Sequence, residues 1–365
     1  MTREATEVLA AAELRAEEDE AAESAARAGL RYVTDATPGI TRRRCGAGFA
    51  YRMPDGTRPS DRRIDAIRAL AIPPAWTDVW ICPDPRGHLQ ATGRDDRGRK
   101  QYRYHPRWRM VRDESKFERL AEFASALPDL RARVDEDLAR PGLPLEKVVA
   151  LSIGLLDRTL VRVGNDIYRR DNGTYGLTTL RSKHVDINGS QVEFNFVGKG
   201  GHEFCVTVED PRVAKAVRRC HELGGKELFT YRGDDGQPVR IDSSDCNGYL
   251  ADVVGEGVTV KYFRTWGATV TVLEELAAHA LTIEGAVDEG TASAADRALL
   301  AAIDEAAARL GNTRTVCRNS YLHPAVPRAH LEGAVLEAWR ASRSTPRMTR
   351  AERATLRVLQ AQALS

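Results

Sequence analysis

No apolar run in the 365 residues approaches the length of a membrane span, so no transmembrane helix is expected. The opening Met1-Thr2-Arg3-Glu4 lacks the basic-then-apolar pattern of a signal peptide, and the expected location is the cytoplasm. The six cysteines (Cys45, Cys82, Cys205, Cys220, Cys246, Cys317) include no Cys-x-x-Cys pair. That argues against a zinc site or a disulfide framework and fits a reducing compartment. There is no Gly-x-x-x-x-Gly-Lys-Ser/Thr loop to cradle a nucleotide. Gly46-Ala47-Gly48 is no dinucleotide loop, because no strand–turn–helix unit surrounds it. Asp135-Glu136-Asp137 sits among Arg131, Arg133 and Arg140, which favours a solvated, salt-bridged helix face over a metal site. No cofactor and no metal are therefore expected. Internal repeats are also lacking.

What is present is a chain long enough for two ordinary domains, 42% apolar and 29% charged, as in soluble globular proteins. The net charge of +2 says little about partners, but its distribution says more. Residues 1–24 hold eight acidic side chains against Arg3 and Arg15, whereas residues 94–109 hold seven basic ones against Asp95 and Asp96. An acidic, alanine-rich head thus masks a basic body.

The order of elements reads as α+β. Residues 1–29 form an acidic arm expected to be mobile, and residues 30–110 a β-rich N-terminal domain. Within it Gly48–Met53 alternates, Ser60 caps a helix over Arg62–Leu70, and Val79–Cys82 and His88–Thr92 read as strands. Residues 111–340 are mainly helical, with helices expected over Glu114–Leu127, Leu130–Arg140, Arg212–Leu223, Ser243–Val254, Thr265–Ala280 and Ala294–Leu310. A three-stranded sheet interrupts them: Val185–Ile187, an Asn188-Gly189 turn, Val192–Val197, then Glu203–Val208. Residues 341–365 read as a polar tail with a final basic helix.

Among the polar residues Tyr321 is the candidate nucleophile. It follows a periodic helix and the glycine stop at Gly311, within Thr315–Pro324. A phenol, with its pKa near 10, attacks a phosphodiester only if cations stabilise the developing charge. Four further positions could serve it: Arg162 on a helix, Lys199 at a glycine-rich hairpin tip, Arg264 in Lys261–Gly267, and Asn312 after the helix stop. Each also has an ordinary explanation. An arginine on a helix pairs with an acid, a lysine in a turn is solvated, an asparagine after glycine caps a helix, and a tyrosine packs a helix end. Spacing alone does not rank these residues above others.

Several segments resemble the type IB DNA topoisomerases, in particular the compact poxvirus-like and bacterial forms, over about residues 45–330. Leu160–Gly164 is similar to the family's first catalytic arginine segment. Asn172–Leu180 with Lys183-His184 resembles the loop that follows. Phe196–Lys199 resembles the hairpin lysine, Lys261–Thr265 the second arginine, and Cys317–Tyr321 the nucleophile segment. Gly98–Tyr104 resembles a DNA-contacting strand. The resemblance implies a C-shaped clamp, closed by the small β-rich lid around double-stranded DNA. It implies a monomer, nucleoid-associated, that relaxes supercoils of either sign without ATP or metal. It also implies roles: Tyr321 forms a 3′-phosphotyrosyl link, Arg162 and Arg264 bind non-bridging oxygens, and Lys199, assisted by Lys261, protonates the departing 5′ oxygen. Asn312 stands where many members have histidine. DNA contacts are expected from Arg97, Arg99, Lys100, Gln101, Tyr102, Tyr104, Lys183 and His184.

The nearest rival is a tyrosine recombinase or integrase, which shares the Arg–Lys–Arg–Tyr chemistry. Recombinases usually carry His-x-x-Arg at the second arginine, where this chain has Lys261-Tyr262-Phe263-Arg264, and a helical rather than β-rich companion domain. A non-catalytic DNA clamp is the rival from another class.

Overall fold

The computed structural model describes residues 21–46, 48–96, 98, 100–108, 110–111, 117, 119–164, 173–284 and 292–363. The chain divides into two compact units, Met1–Lys116 and Phe117–Ser365.

The first unit is built on an antiparallel five-stranded sheet of β1 (Ile40–Cys45), β2 (Gly48–Arg52), β3 (Thr77–Ile81), β4 (Leu89–Arg94) and β5 (Lys100–Tyr104), in the order β2-β1-β3-β4-β5. Helix α1 (Asp61–Ala69) starts at Ser60, whose hydroxyl accepts the Arg63 N–H as an N-cap. Ile67 of α1 joins Ile40, Val79, Ile81 and Ala91 in a small core that Tyr51, Met53 and Trp76 extend. Successive residues of β5 point to opposite faces. Arg103 reaches over Trp76, while Tyr102 and Tyr104 stack on each other with centroids 6.0 Å apart. Tyr104 stacks in turn on Trp108.

The second unit holds the main core. Helix α2 (Leu120–Ala139) runs through Pro128. Two helices, Glu114–Leu127 and Leu130–Arg140, were expected instead. The buried stripe Leu120, Phe123, Leu127, Leu130, Val134 and Leu138 continues past that proline, so packing outweighs the lost backbone hydrogen bond. Residues 114–116 and 118 of the first expected helix lie outside the described residues. In the acidic run at the far end of α2 Glu136 is exposed and Asp135 pairs with Arg212 and Arg347 at 3.0 Å, as a salt-bridged face should, but the third residue departs from it. Asp137 is buried and accepts from Arg133, Arg140 and Tyr249, because it closes the helix end against the core. Helix α3 (Leu145–Thr159) packs on α2 and ends at Leu160 in a left-handed conformation.

The next sheet, β6 (Val185–Asn188), β7 (Gln191–Val197) and β8 (Glu203–Glu209), is antiparallel in that order. Asn188 pairs with Gln191, so the tight turn is Gly189-Ser190, with glycine at positive φ in its first position. Val192, Phe194 and Phe196 face the core while Glu193 and Asn195 face away.

Helices α4 (Pro211–Leu223) and α5 (Ser243–Val254) flank a two-stranded ribbon of β9 (Thr230–Arg232) and β10 (Pro238–Arg240), which had no clear signal in the sequence. Then come α6 (Lys261–Glu284), α7 (Ala292–Leu310), α8 (Arg314–Ser320), α9 (Ala325–Leu331), α10 (Ala334–Arg340) and α11 (Arg350–Ala363). The final helix expected after residue 341 forms as α11, but it is packed rather than free. Ala351, Ala354, Val358 and Leu359 repeat at helical spacing and bury α11 against α6 and α2. Arg131 of α2 fastens it by bridging Glu352 at 2.6 Å and Asp157 at 2.7 Å. The chain is thus α+β, with a β-rich N-terminal unit and a mainly helical second unit.

Candidate active site

Arg162 lies in the short loop after α3. The left-handed Leu160 turns the chain there, a conformation that costs a branched residue roughly 1–2 kcal/mol. Two contacts hold it: its side chain fills the space above Gly267 of α6, and its carbonyl accepts from Arg264. The loop is then clamped from the other side. Leu177 N–H donates to the Arg162 carbonyl at 2.8 Å, and Thr178 N–H to that of Val163 at 2.7 Å. Gly176 allows this approach, since a Cβ there would lie 2.5 Å from Gly164.

Arg264 sits in the first turn of α6 and is only 4% exposed. It donates to the carbonyls of Leu160 and, at 2.9 Å, of Leu310. One guanidinium therefore ties the ends of α3 and α7 to α6. Burial, against the partial compensation of Tyr321, brings its pKa down to about 10, so it remains charged at neutral pH.

Asn312 and Tyr321 come from the turn after α7. Gly311 takes positive φ, Asn312 N–H reaches back to the Ala307 carbonyl and Gly311 N–H to that of Ala308. These are the two backbone bonds of a Schellman stop. The main chain does the capping, which leaves the Asn312 side chain for other work: its Oδ1 accepts from Arg162 Nη2 at 2.7 Å. Thr313 then caps α8, and Tyr321 follows as the residue that ends it. Arg264 Cζ stands 5.1 Å from the centre of the Tyr321 ring. Burial pushes the phenol pKa up, but the charges of Arg264, Arg162 and Lys261, with a hydrogen bond from Arg264, outweigh it and leave the pKa below its usual 10.

Arg162 Nη1, Arg264 Nε and Asn312 Nδ2 are buried donors without a hydrogen-bond partner among the described residues. Leaving such groups unpaired is costly. These unused donors, on the paired Arg162 and Asn312 and on the Arg264 that stands against the phenol, are of the kind that an anion with several acceptor oxygens would satisfy.

The five positions singled out from the sequence divide unevenly. Arg162 touches Asn312 and Arg264 touches Tyr321, and the charges of Arg162 and of Lys261, exposed at the start of α6, both bear on the phenol. Lys199 is exposed at the β7–β8 tip. That tip is joined to the Arg162 loop through Tyr175 N–H, which donates to the Val197 carbonyl at 2.8 Å.

The DNA-contact candidates also separate. Tyr102 is 44% exposed, with Lys100 over its ring and paired to Asp35 at 2.7 Å. Gln101 lies on the other face and donates to Asp95. Lys183 is exposed, whereas His184 is buried edge-on against Tyr175, with Nδ1 accepting from Arg181 N–H. Burial and the adjacent Lys183 and Arg181 lower its pKa, so it is a neutral wall of the loop rather than an open surface cation. Arg97 and Arg99 lie outside the described residues.

Thr269 was not foreseen. Its buried hydroxyl lies 2.7 Å from the Thr265 carbonyl and 3.3 Å from that of Tyr321, and it accepts from His323 N–H at 3.1 Å. It thus fastens the backbone around Tyr321 to the helix that carries Arg264. Its only signal in the sequence is its place five residues after Arg264 on one helix.

Comparison with known proteins identifies the family. Residues 105–332, well over half of the 365, match the family described as eukaryotic DNA topoisomerase I, catalytic core. Residues 48–95 match the bacterial DNA topoisomerase IB N-terminal domain. The chain is 34% identical over 243 residues to DNA topoisomerase 1B of Acanthamoeba polyphaga mimivirus, covering 65% of this chain and 72% of that protein. It is 22% identical over 215 residues to DNA topoisomerase 1B of vaccinia virus (strain Copenhagen), covering 57% and 65%. With DNA topoisomerase 1 alpha of Arabidopsis thaliana it shares 27% over 166 residues, 45% of this chain but only 17% of the plant protein. The chain belongs to the type IB DNA topoisomerases.

Proposed function

We propose that this type IB topoisomerase, an ATP-independent enzyme of DNA relaxation, cleaves one strand of duplex DNA with Tyr321. The phenol gives up its proton to solvent as its oxygen bonds to phosphorus, and the bond from phosphorus to the 5′ oxygen breaks. A 3′-phosphotyrosyl link and a 5′-hydroxyl result. Arg162, Arg264 and Asn312 hold the non-bridging oxygens, where charge builds in the transition state. Lys199 delivers the proton to the departing oxygen, and Lys261 assists it. The released strand rotates, and the 5′-hydroxyl then attacks phosphorus to restore the backbone. One phosphodiester is exchanged for another, so the step needs no external energy.

The single observation that carries this reading is the set of unpartnered donors on Arg162, Arg264 and Asn312 beside a phenol whose pKa is lowered. The β-rich unit, with Tyr102 and Lys100 on one face of its edge strand, is proposed as the lid of a clamp around the duplex, holding it mainly through its backbone. We further propose that the enzyme acts as a monomer in the bacterial nucleoid.

Plasmid relaxation tests the scheme. Positive and negative supercoils should both relax in EDTA without nucleotide, and more slowly as salt displaces the protein from phosphate. Strict dependence on metal or nucleotide contradicts the scheme. Strand exchange between two sites would return the enzyme to the recombinase reading.

A further inference from the structure

The two proposed halves of the chemistry, the phosphate pocket and the proton donor, sit on separate elements. The ring of Phe204 lies between them. Phe204 pairs across the hairpin with Phe196, and their rings stack at 5.3 Å with planes 9° apart. It ends the core-facing row of β8, after Val208 and Val206, and overhangs the tip of the hairpin. There it meets two glycines. A Cβ added at Gly198, the residue before Lys199, would lie 2.6 Å from Phe204 Cε2. A Cβ added at Gly311, the residue before Asn312, would lie 2.6 Å from Phe204 Cζ. Real Cβ contacts are not that short, so each glycine admits the ring because it lacks a side chain. The tip itself is pinned by Gly198 N–H to His202 O and Gly201 N–H to Gly198 O.

We propose that Phe204 is a positioning residue: wedged between Gly198 and Gly311, it sets the distance from the Lys199 tip to the Asn312 turn. The inference rests on the reading of Lys199 as general acid. Neither partner needs to touch the ring's own chemistry, because Phe204 has none. It fixes one backbone against another, and errors of about 1 Å in such placement can cost on the order of 100-fold in rate.

The test is single-turnover cleavage on two DNA substrates, one ordinary and one with a 5′-bridging phosphorothiolate, whose thiolate leaves without a proton. Lys199→Ala is the reference, and gel shift and melting temperature are read alongside. Phe204→Ala should slow the ordinary substrate by roughly 10- to 100-fold, with DNA binding retained, and cleave the phosphorothiolate at close to the parent rate. Phe204→Leu should recover much of the loss. Gly198→Ala has no positive-φ strain to confound it and should show the same selective defect by pushing the ring away, which keeps the test open if Phe204→Ala folds poorly. Adding Phe204→Ala to it should make matters little worse, because both act on one contact.

Equal slowing of Phe204→Ala and Gly198→Ala on both substrates, with Lys199→Ala still rescued, overturns the positioning role and leaves the general acid standing. Parent-like cleavage by both variants overturns it too. If Lys199→Ala itself is not rescued, the general-acid reading falls and takes this inference with it.

Discussion

The helix-held half of the site and the hairpin-held half are built differently. Arg162, Arg264, Asn312 and Tyr321 are fixed by helix ends that one guanidinium ties together through the carbonyls of Leu160 and Leu310. Lys199 projects from a five-residue tip with glycines at 198, 200 and 201, against which one aromatic ring is packed. The contrast matches the tasks proposed for them. Charge stabilisation gains most from donors already oriented and kept from water before the reaction. A proton donor has to reach an oxygen that leaves with the rotating strand and later returns. The comparison teaches that the charge-stabilising half is the more enclosed one: Arg264 is buried and Arg162, Asn312 and Tyr321 are half-buried, while Lys199 is exposed. Arg264 would look like a core residue were its Nε not left without a partner among the described residues.

Substitutions can break this division of labour. The largest effect expected is at the hairpin. Lys199→Ala should slow cleavage of ordinary DNA by roughly 10²–10⁴-fold and be largely rescued by the 5′-bridging phosphorothiolate. Equal defects on the two substrates would remove the general-acid role. In the helix-held half no such rescue is expected. Arg162→Ala and Arg264→Ala should each cost about 2.7–4 kcal/mol of transition-state stabilisation, on either substrate. Arg264→Lys should fare little better, because an ammonium lacks the planar fork that reaches two carbonyls and a phosphate together. A loss confined to DNA affinity would argue against both assignments.

Arg264→Ala should also move the pH dependence. Burial raises the Tyr321 pKa and the Arg264 charge opposes it. Removing the charge leaves burial unopposed by its largest counterweight, so the pKa rises and the rate should need a more alkaline pH. A rate–pH profile that stays in place, or moves toward acid, would show that Arg264 does not act on the phenol.

The smallest effect is at Asn312. Its backbone makes the Schellman bonds, so Asn312→Ala should leave the melting temperature nearly unchanged. Its partners, the Arg162 guanidinium and the proposed phosphate, are both charged, and loss of one such hydrogen bond, about 1.5–3 kcal/mol, should slow cleavage by roughly 10- to 150-fold. A stable and fully active Asn312→Ala would take it out of the site. In Asn312→His a neutral imidazole can accept from Arg162 and donate to phosphate at once, whereas the protonated ring cannot accept. Activity of that variant should be present above a pH of about 6.5 and fall below it.

Much of the local structure around the candidate site was legible in the sequence because its signals are local. Gly311 with Asn312 reads as a helix stop, Asn188-Gly189 as a hairpin, and Ser243–Val254 as a helix whose bounds the structure repeats. Local signals fail where distant residues decide. Glu114–Leu127 and Leu130–Arg140 read as two helices, yet the core on both sides of Pro128 keeps α2 whole. Residues 341–365 read as a tail, because the arginines that dominate them hide an apolar face that only α6 and α2 reveal. Thr269 and Phe204 carry no motif at all. Their meaning lies in contacts with residues 52 or more positions away, at Tyr321 and Gly311.

The central claim is that the Tyr321 phenol becomes joined to DNA. The direct measurement is a denaturing gel of the protein incubated with end-labelled duplex, followed by sequencing of the modified peptide and of the DNA end. The account predicts a covalent adduct on Tyr321 carrying a 3′-phosphate, a free 5′-hydroxyl on the other fragment, and a Tyr321→Phe variant that binds DNA, melts as the parent does and forms no adduct. An adduct on another residue, a link to the 5′ end, or a Tyr321→Phe protein that still relaxes plasmid would contradict it.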